Sequence, residues 1–224
     1  MKIVKYFIKK SIILLNRLLS KTRMGRYSNE IIINKLMTME KQVVHNDVHM
    51  HFVVPNMLNH YRVDTFSLKE PETLDWIDSI PKNSTLWDIG ANIGLYSIYA
   101  AKKNNCKIVA FEPSVFNLEL LARNIYQNNL QDQIEIMPLA LSNKIGFSKM
   151  KMTTTGWGGA LSTFGEKFGW DGKAIKDRFS FKTFGMDIDS IINVLKLPNP
   201  DYIKMDVDGI EHIILNGAKE TLKT

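Results

Sequence analysis

The stretch from Ser84 to Ala101, STLWDIGANIGLYSIYAA, constrains the fold of this chain more than any other. It begins with Thr85-Leu86-Trp87, a β-branched, an apolar and an aromatic residue that suit a covered strand. Asp88 ends that strand, and a glycine-rich turn follows before apolar residues recur at helical spacing. A strand that passes through such a turn into a helix N-terminus is the nucleotide-binding corner of a doubly wound α/β fold.

The residue pattern of this turn indicates which nucleotide it binds. It is spelled D-x-G-x-N-x-G, with positions Asp88, Gly90, Asn92 and Gly94. This differs from the G-x-G-x-x-G of dinucleotide-binding proteins and favours S-adenosylmethionine over NAD. A second strand is predicted at Lys107–Phe111 and ends at Glu112, 22 residues after Gly90. An acid about 20 residues after the glycine turn is expected to accept hydrogen bonds from the ribose hydroxyls.

Two more strands extend the α/β pattern, and they are predicted at Gln133–Leu139 and Asp201–Asp206. Ligands of an open α/β sheet bind beyond the carboxyl ends of its strands. We therefore expect Asp88, Glu112 and Asp206 to gather on one rim of the sheet.

The end of the third strand is the predicted adenine side of the site. Ala140 and Leu141 follow that strand directly, so they would lie beside the base. Pro113, which follows Glu112, is assigned to the same cofactor site.

A segment without helical or strand periodicity interrupts the second half of the chain. Residues 153–172 hold six glycines and four large aromatic side chains. Glycine-rich loops of this length inside a compact domain are uncommon and tend to be lids or binding loops. The aromatic content favours that interpretation, and the alternative is a poorly ordered surface insertion.

The N-terminal arm, residues 1–27, carries the positive charge of the protein. The net charge is +6, yet residues 1–26 hold eight Lys or Arg and no acid, so the remaining chain carries −2. This distribution does not indicate nucleic-acid binding by the core. Met1–Ser20 is predicted as an amphipathic helix too polar to span a membrane. It either packs on its own domain or a second copy, or lies on an anionic membrane surface.

Residues 28–80 are predicted as an extension that precedes the core at 81–224. The extension has a helix at Ser28–Glu40, a strand pair at Val43–Val54 and a helix at Pro71–Ile80. His45, His49 and His51 cluster in the strand pair, but no acid or cysteine with ligand spacing completes a metal site. No metal is predicted there.

Cysteine usage indicates the compartment. Cys106 is the one cysteine, so no internal disulfide can form and a reducing cytoplasm is expected. The predicted location is therefore cytoplasmic, with a peripheral position on the inner face of the membrane if the arm binds lipid.

Four motifs together resemble one protein family. They are WDIGANIGLYS, AFEP, LALSN and YIKMDVDGIEHIILNGA, and they span roughly residues 84–218. They are similar to the FkbM-type methyltransferases, within the class I methyltransferases that use S-adenosylmethionine. The resemblance implies a Rossmann-like sheet with helices on both faces and an O-methyl transfer. Such sheets normally continue with three further strands, whereas this chain stops at Thr224. We expect either that the sequence is a fragment or that the sheet is completed in another way.

The resemblance also assigns residues. The cofactor loop is implied at Asp88, Gly90, Asn92 and Gly94, and the ribose-binding acid at Glu112. A second box, similar to K-x-D-x-E-G-x-E, is matched by Lys204, Asp206, Asp208, Gly209 and Glu211. Asp208 stands where that pattern usually has Glu, and its shorter reach bears on any catalytic role.

The hypothesised chemistry is displacement at the sulfonium methyl carbon by an acceptor hydroxyl. A carboxylate or imidazole that takes the hydroxyl proton is worth about 10²–10⁴-fold in rate. The candidates are Asp206, Asp208 and His212. Alternatively, a divalent metal held by Asp206 and Asp208 could polarise the acceptor oxygen.

The acceptor class and two rival functions remain open at this point. A glycan, a lipid-linked sugar or a small natural product would each suit the family as hydroxyl-bearing acceptor. One rival is an NAD-dependent oxidoreductase that uses the same nucleotide corner. The other is a non-catalytic protein that binds the cofactor or associates with a membrane.

Overall fold

The structure, a computed structural model, describes residues 2–223 and divides into two compact units. The first unit runs up to Glu40 and the second begins at Lys41. In the first unit, helix α1 spans Lys2–Leu19 and helix α2 spans Arg23–Met37. The Thr22 side chain caps α2 by accepting a hydrogen bond from the Gly25 N–H at 2.9 Å.

Helix α1 is apolar on much of its surface, yet its large side chains stay exposed. Phe7, Ile12 and Leu15 are 62%, 61% and 59% exposed, respectively. Within residues 2–223, no helix is both long and apolar enough to cross a bilayer.

From Glu40, the last residue of the first unit, the chain continues into the second unit, which alternates strands and helices. Its first elements are β1 (Glu40–His45), β2 (Val48–Val53), α3 (Met57–Asp64), α4 (Phe66–Lys69), α5 (Pro71–Ser79), β3 (Thr85–Ile89), α6 (Leu95–Asn104), β4 (Lys107–Phe111) and α7 (Val115–Gln127). They are followed by β5 (Ile134–Met137), β6 (Ala140–Leu141), β7 (Gly146–Met152), β8 (Thr163–Phe164), β9 (Phe179–Met186), α8 (Ile188–Ser190), a π-helical turn (Ile191–Leu195), β10 (Tyr202–Met205), α9 (Glu211–Leu215) and a 3₁₀ turn (Thr221–Lys223).

The main sheet has the strand order β10-β3-β4-β5, and all of its strands run parallel. Lys204 of β10 is in register with Asp88 of β3, which is in register with Ala110 of β4. The predicted Rossmann-like α/β sheet is confirmed. Because the strands are parallel, the residues that follow β3, β4 and β10 emerge at the same edge.

The expectation of helices on both faces is wrong for one face of the main sheet, which packs against a second sheet together with short helices. Trp87 and Ile89 of β3, with Val109 and Phe111 of β4, belong to an apolar core shared with strands of that second sheet. Its order is β6-β9-β7-β8, with β7 antiparallel to both β8 and β9. The short helices α8 and α9 contribute to the same core.

Helices cover the other face, and buried asparagines fasten the β1–β2 hairpin to it. The Asn124 side chain of α7 accepts the Val53 N–H at 2.7 Å and donates to the Ile93 carbonyl at 2.8 Å. Asn128 accepts the His51 N–H at 3.0 Å and donates to the His51 carbonyl at 2.7 Å. The backbone groups of the β2 edge are thereby paired with side chains of α7.

Four elements differ from the sequence-based expectation. Helices α3 and α4 were not predicted, and β8 lies inside the segment expected to have no strand. The sequence predicts a further helix over Met186–Leu197, ended by Pro198. In the structure this helix begins later, because Met186 still pairs with Leu141 as the last residue of β9. Asp187 then caps α8 by accepting the Ser190 N–H at 2.8 Å.

Candidate active site

A cavity of about 330 Å³ lies at the carboxyl ends of β3, β4 and β10. Four segments surround it: the glycine turn after β3, the loop before β8, the end of β10 and the α3–α5 region. Eight of the predicted site residues line it, namely Gly90, Asn92, Glu112, Pro113, Ala140, Leu141, Asp206 and Asp208. Of the predicted site residues, Asp88, Gly94 and His212 are outside this lining.

The glycine turn is wedged between the ends of two strands. Gly90 has a φ of +84°, and a Cβ placed there would lie 2.0 Å from the Asp206 carbonyl oxygen. Its N–H donates to the Phe111 carbonyl at 3.0 Å. Gly94 has a φ of +86°, and a Cβ there would lie 2.6 Å from Cδ1 of Leu121. Gly90 therefore requires glycine for backbone conformation and for space, and Gly94 requires it for backbone conformation.

Glu112 is buried and holds the turn in place. Its Oε2 accepts the Asn92 N–H at 2.8 Å, and its Oε1 accepts the Ser114 N–H at 2.7 Å. Burial raises the pKa of Glu112 to about 7, although these hydrogen bonds act to lower it. A carboxylate fixed in this way at the cavity edge is suited to accept hydrogen bonds from a ribose.

We expect this raised pKa to make stability fall with rising pH. Between the ordinary value of 4.5 and about 7, folded Glu112 binds more protons than the unfolded chain does. The free energy of unfolding should therefore decrease across this window, by about 3 kcal/mol in total. Denaturant unfolding at a series of pH values measures this slope. Glu112→Gln should remove this pH dependence of the free energy of unfolding. Glu135→Gln, which replaces an exposed acid of β5, should retain it.

Asp88 supports the site from within the sheet. Its Oδ2 accepts a hydrogen bond from the Ser97 hydroxyl at 2.6 Å, and its Oδ1 lies 3.0 Å from Lys204 Nζ. Burial lowers the pKa of Lys204, but the nearby Asp88 and Asp206 carboxylates outweigh it and raise the pKa overall. Lys204 also lies over the Tyr96 ring, 5.0 Å from its centroid. Asp88, which was predicted to bind the cofactor, is thus a buried ion-pair partner of Lys204, and Lys204 lines the cavity.

The cavity fits a nucleoside cofactor by two observations. The carboxamide Oδ1 of Asn92 is buried and has no partner among residues 2–223, while its Nδ2 donates to the Gly159 carbonyl at 2.9 Å. Ala140 and Leu141 supply an apolar surface suited to a base. These residues fit S-adenosylmethionine.

The three catalytic candidates occupy different environments. Asp206 lines the cavity, and nothing in the described chain donates a hydrogen bond to its carboxylate. The Asp208 carboxylate accepts the Leu161 N–H at 2.6 Å and the Ser162 N–H at 3.3 Å. Burial raises the pKa of Asp208. His212 is exposed on α9, outside the cavity lining.

Residues 157–164, which we call the strap, run along the cavity and are tied to four separate elements. The Arg62 Nε donates to the Gly158 carbonyl at 2.9 Å, and the Gly158 N–H donates to Asn117 Oδ1 at 3.1 Å. Asn92 and Asn117 both donate to the Gly159 carbonyl. Asp208 is the fourth contact, because it accepts the N–H groups of Leu161 and Ser162. The strap thus has a defined conformation, although it lacks a regular period.

Several cavity-lining residues were not predicted as site residues from the sequence. Arg62, Lys69, Glu70 and Tyr96 come from the α3–α5 region and from the start of α6. The Tyr96 hydroxyl donates to Glu70 at 2.8 Å, and burial together with this acid raises the Tyr96 pKa. Arg62 lies in α3 (Met57–Asp64), and no motif in that helix marks it as a site residue.

None of His45, His49 and His51 lines this cavity. The His45 Nδ1 is 3.0 Å from the Ser67 hydroxyl, and its ring meets those of Phe66 and Tyr99 edge-on. Within residues 2–223, no group of three or more His, Cys, Asp or Glu side chains is arranged to hold a metal ion.

Comparison with known proteins adds a family. Residues 88–224 match the family described as "Methyltransferase FkbM domain". Among curated proteins, "Methyltransferase sdnD" of Sordaria araneosa is 27% identical over 165 residues, which is 64% of this chain and 64% of that protein. The chain therefore spans less than two thirds of the length of this relative.

Solved structures with partial similarity include two TYW2 proteins. TYW2 of P. horikoshii, in complex with MeSAdo, is 20% identical with a TM-score of 0.35, covering 45% of this chain and 36% of that one. TYW2 of M. jannaschii, in complex with AdoMet, is 21% identical with a TM-score of 0.33, covering 44% and 42%. Because both TM-scores lie below 0.5, the functional conclusion rests on the family match.

Proposed function

Because this chain belongs to the FkbM family of methyltransferases, we propose that it transfers a methyl group from S-adenosylmethionine to a hydroxyl oxygen. Family membership confirms the predicted FkbM-type methyltransferase family, and it supports S-adenosylmethionine as the cofactor over the NAD of the oxidoreductase alternative. The proposed acceptor is a hydroxyl on a glycan, a lipid-linked sugar or a small natural product. The acceptor class and the oxygen as the methylated atom are proposals.

The proposal is supported by one observation: the residues predicted to bind the cofactor and the residue proposed as the base line the same cavity. Gly90, Asn92 and Glu112 line it on the cofactor side, and Asp206 lines it at the end of β10. The backbone of Asp206 also touches the glycine turn, where its carbonyl leaves no room for a Cβ on Gly90. A bound cofactor and the Asp206 carboxylate would therefore be close neighbours.

The residues present would hold the cofactor in one orientation. Glu112 would accept hydrogen bonds from the ribose hydroxyls, and Ala140 and Leu141 would cover the base. The cofactor supplies a methyl carbon already activated by its positive sulfur. The protein then mainly orients the acceptor and excludes water, and the strap contributes to that exclusion.

We assign the proton transfer to Asp206. Its carboxylate would take the hydroxyl proton while the acceptor oxygen bonds to the methyl carbon and the carbon–sulfur bond breaks. Asp208 is a weaker candidate because its carboxylate already binds two strap N–H groups. His212 is the third, since its exposed position lies outside the cavity lining.

Turnover with a panel of acceptors tests this proposal. The protein is incubated with S-adenosylmethionine and separately with glycans, lipid-linked sugars and hydroxylated small molecules, and S-adenosylhomocysteine release is measured. We expect release with one acceptor class and calorimetric binding of S-adenosylhomocysteine without any acceptor. A protein that binds neither S-adenosylmethionine nor S-adenosylhomocysteine would contradict the proposal.

We further propose that helix α1 lies on an anionic lipid surface. Its apolar side chains are exposed, among them Phe7, Ile12 and Leu15. Its charged residues are all basic, as are those of the turn into α2. Exposed apolar area beside unopposed positive charge suits the interface of an anionic bilayer.

Vesicle sedimentation should show this binding. We expect the protein to sediment with phosphatidylserine-containing vesicles and to stay in solution with phosphatidylcholine alone. Reversing two charges in Lys9→Glu/Lys10→Glu should weaken binding at least roughly tenfold. The matched control Lys82→Glu/Lys149→Glu reverses two exposed charges in the second unit and should bind better than the arm variant. Concentration-dependent dimerisation without vesicle binding would instead favour packing on a second copy.

A further inference from the structure

The cavity contains three cationic side chains, and two of them are already paired. Lys69 Nζ lies 2.6 Å from the Glu70 carboxylate, and Lys204 Nζ lies 3.0 Å from Asp88. The third is Arg62, which reaches the cavity from α3.

Within residues 2–223, the Arg62 guanidinium has a backbone partner but no carboxylate in direct contact. Its Nε donates to the Gly158 carbonyl at 2.9 Å, and it forms no ion pair within the part of the chain that the structure describes. Burial lowers the Arg62 pKa, although Asp206, Asp208 and Glu70 act to raise it. A partly buried guanidinium with free N–H groups is suited to bind a carboxylate in a fork-like geometry.

The sheet order separates the Asp206 end of the cavity from the adenine side. Strands β10 and β5 are the opposite edges of the main sheet, three strand spacings or roughly 14 Å apart. Asp206, which follows β10, is among the charges that act on Arg62, whereas Ala140 and Leu141 follow β5. A ligand with its base at Ala140 and its ribose at Glu112 therefore extends its other end toward Arg62.

We propose that Arg62 binds the carboxylate of the amino-acid end of the cofactor. This inference rests on the proposed function. The cofactor end is a zwitterion, and the surrounding cavity offers both signs of charge, with the Glu70 carboxylate near Arg62. The strap carbonyl of Gly158 holds the guanidinium through Nε and leaves its terminal nitrogens for the ligand.

Two ligands that differ only at this end provide the test. S-adenosylhomocysteine carries the amino-acid end, and 5′-methylthioadenosine has the same base and ribose without it. Both are titrated calorimetrically into the unmodified protein, Arg62→Met and Arg62→Lys. We expect Arg62→Met to weaken S-adenosylhomocysteine binding about 10- to 100-fold and 5′-methylthioadenosine binding less than about threefold. Arg62→Lys, which keeps the charge but not the fork, should lie between.

Each other outcome overturns the proposal. Equal weakening of both ligands would mean that Arg62 acts only by holding the strap. Unchanged S-adenosylhomocysteine affinity in Arg62→Met would mean that Arg62 serves another anion, such as an acidic acceptor. The charge control Lys144→Met removes a positive charge from an exposed turn and should change neither affinity. If the unmodified protein failed to bind S-adenosylhomocysteine, the proposed function itself would fail, which is a separate result.

Discussion

Replacing Gly90 with alanine is expected to abolish cofactor binding and to destabilise the second unit. The new Cβ would lie 2.0 Å from the Asp206 carbonyl oxygen, which belongs to the backbone at the end of β10 and has little freedom to move. The φ of +84° adds strain for any residue with a Cβ. Together these effects should reduce the free energy of unfolding by roughly 2–5 kcal/mol.

Calorimetric titration with S-adenosylhomocysteine and denaturant unfolding check this expectation. Gly90→Ala should show at least a hundredfold loss of affinity, because the turn must separate from β10 to admit the methyl group. The control Gly169→Ala has no positive φ and space for a Cβ, so it should resemble the unmodified protein. Near-normal affinity in Gly90→Ala would show that the turn does not approach the ligand.

Replacing Asp206 with asparagine is expected to lower kcat by about 10²–10⁴-fold, because an amide cannot take the acceptor proton. Asn has nearly the same shape, and the backbone carbonyl that packs against Gly90 is unchanged. Affinity for S-adenosylhomocysteine should therefore change by less than about threefold. The KM for the acceptor should also change little if the carboxylate acts mainly in the transition state.

Steady-state kinetics with the acceptor found in the panel, at saturating cofactor, measure this effect. Asp132→Asn, at an exposed acid away from the cavity, should leave kcat unchanged. Asp208→Asn should raise KM more than it lowers kcat, because Asp208 holds the strap through Leu161 and Ser162. If Asp206→Asn lost cofactor affinity while kcat at saturation was retained, Asp206 would be a cofactor ligand rather than the base.

The sequence determined the nucleotide corner because its signals are local. Glycines at positions that need a positive φ, an apolar strand and a following helix all lie within Ser84–Ala101. Glu112 and Asp206 were placed on one rim by the rule for parallel strands, and both line the cavity. The motifs by which the sequence resembles the FkbM-type family include these same segments.

Other motif residues have contacts that their position in the motif did not reveal. Asp88 is turned into the sheet, where it pairs with Ser97 and Lys204. Gly94 provides space for Leu121 rather than for a ligand. A position in a motif fixes where the backbone passes, whereas the direction of a side chain depends on what packs around it.

Only the tertiary structure decided how the cavity is closed and which charges reach its far end. The strap has no period, and its bonds run to Arg62, Asn92, Asn117 and Asp208, which are separated from it by 96, 67, 41 and 47 positions. Arg62 lies in a helix without a motif. Hydrogen bonds between such distant residues leave no repeating pattern in the sequence, because they depend on the packing of whole elements rather than on local backbone preference.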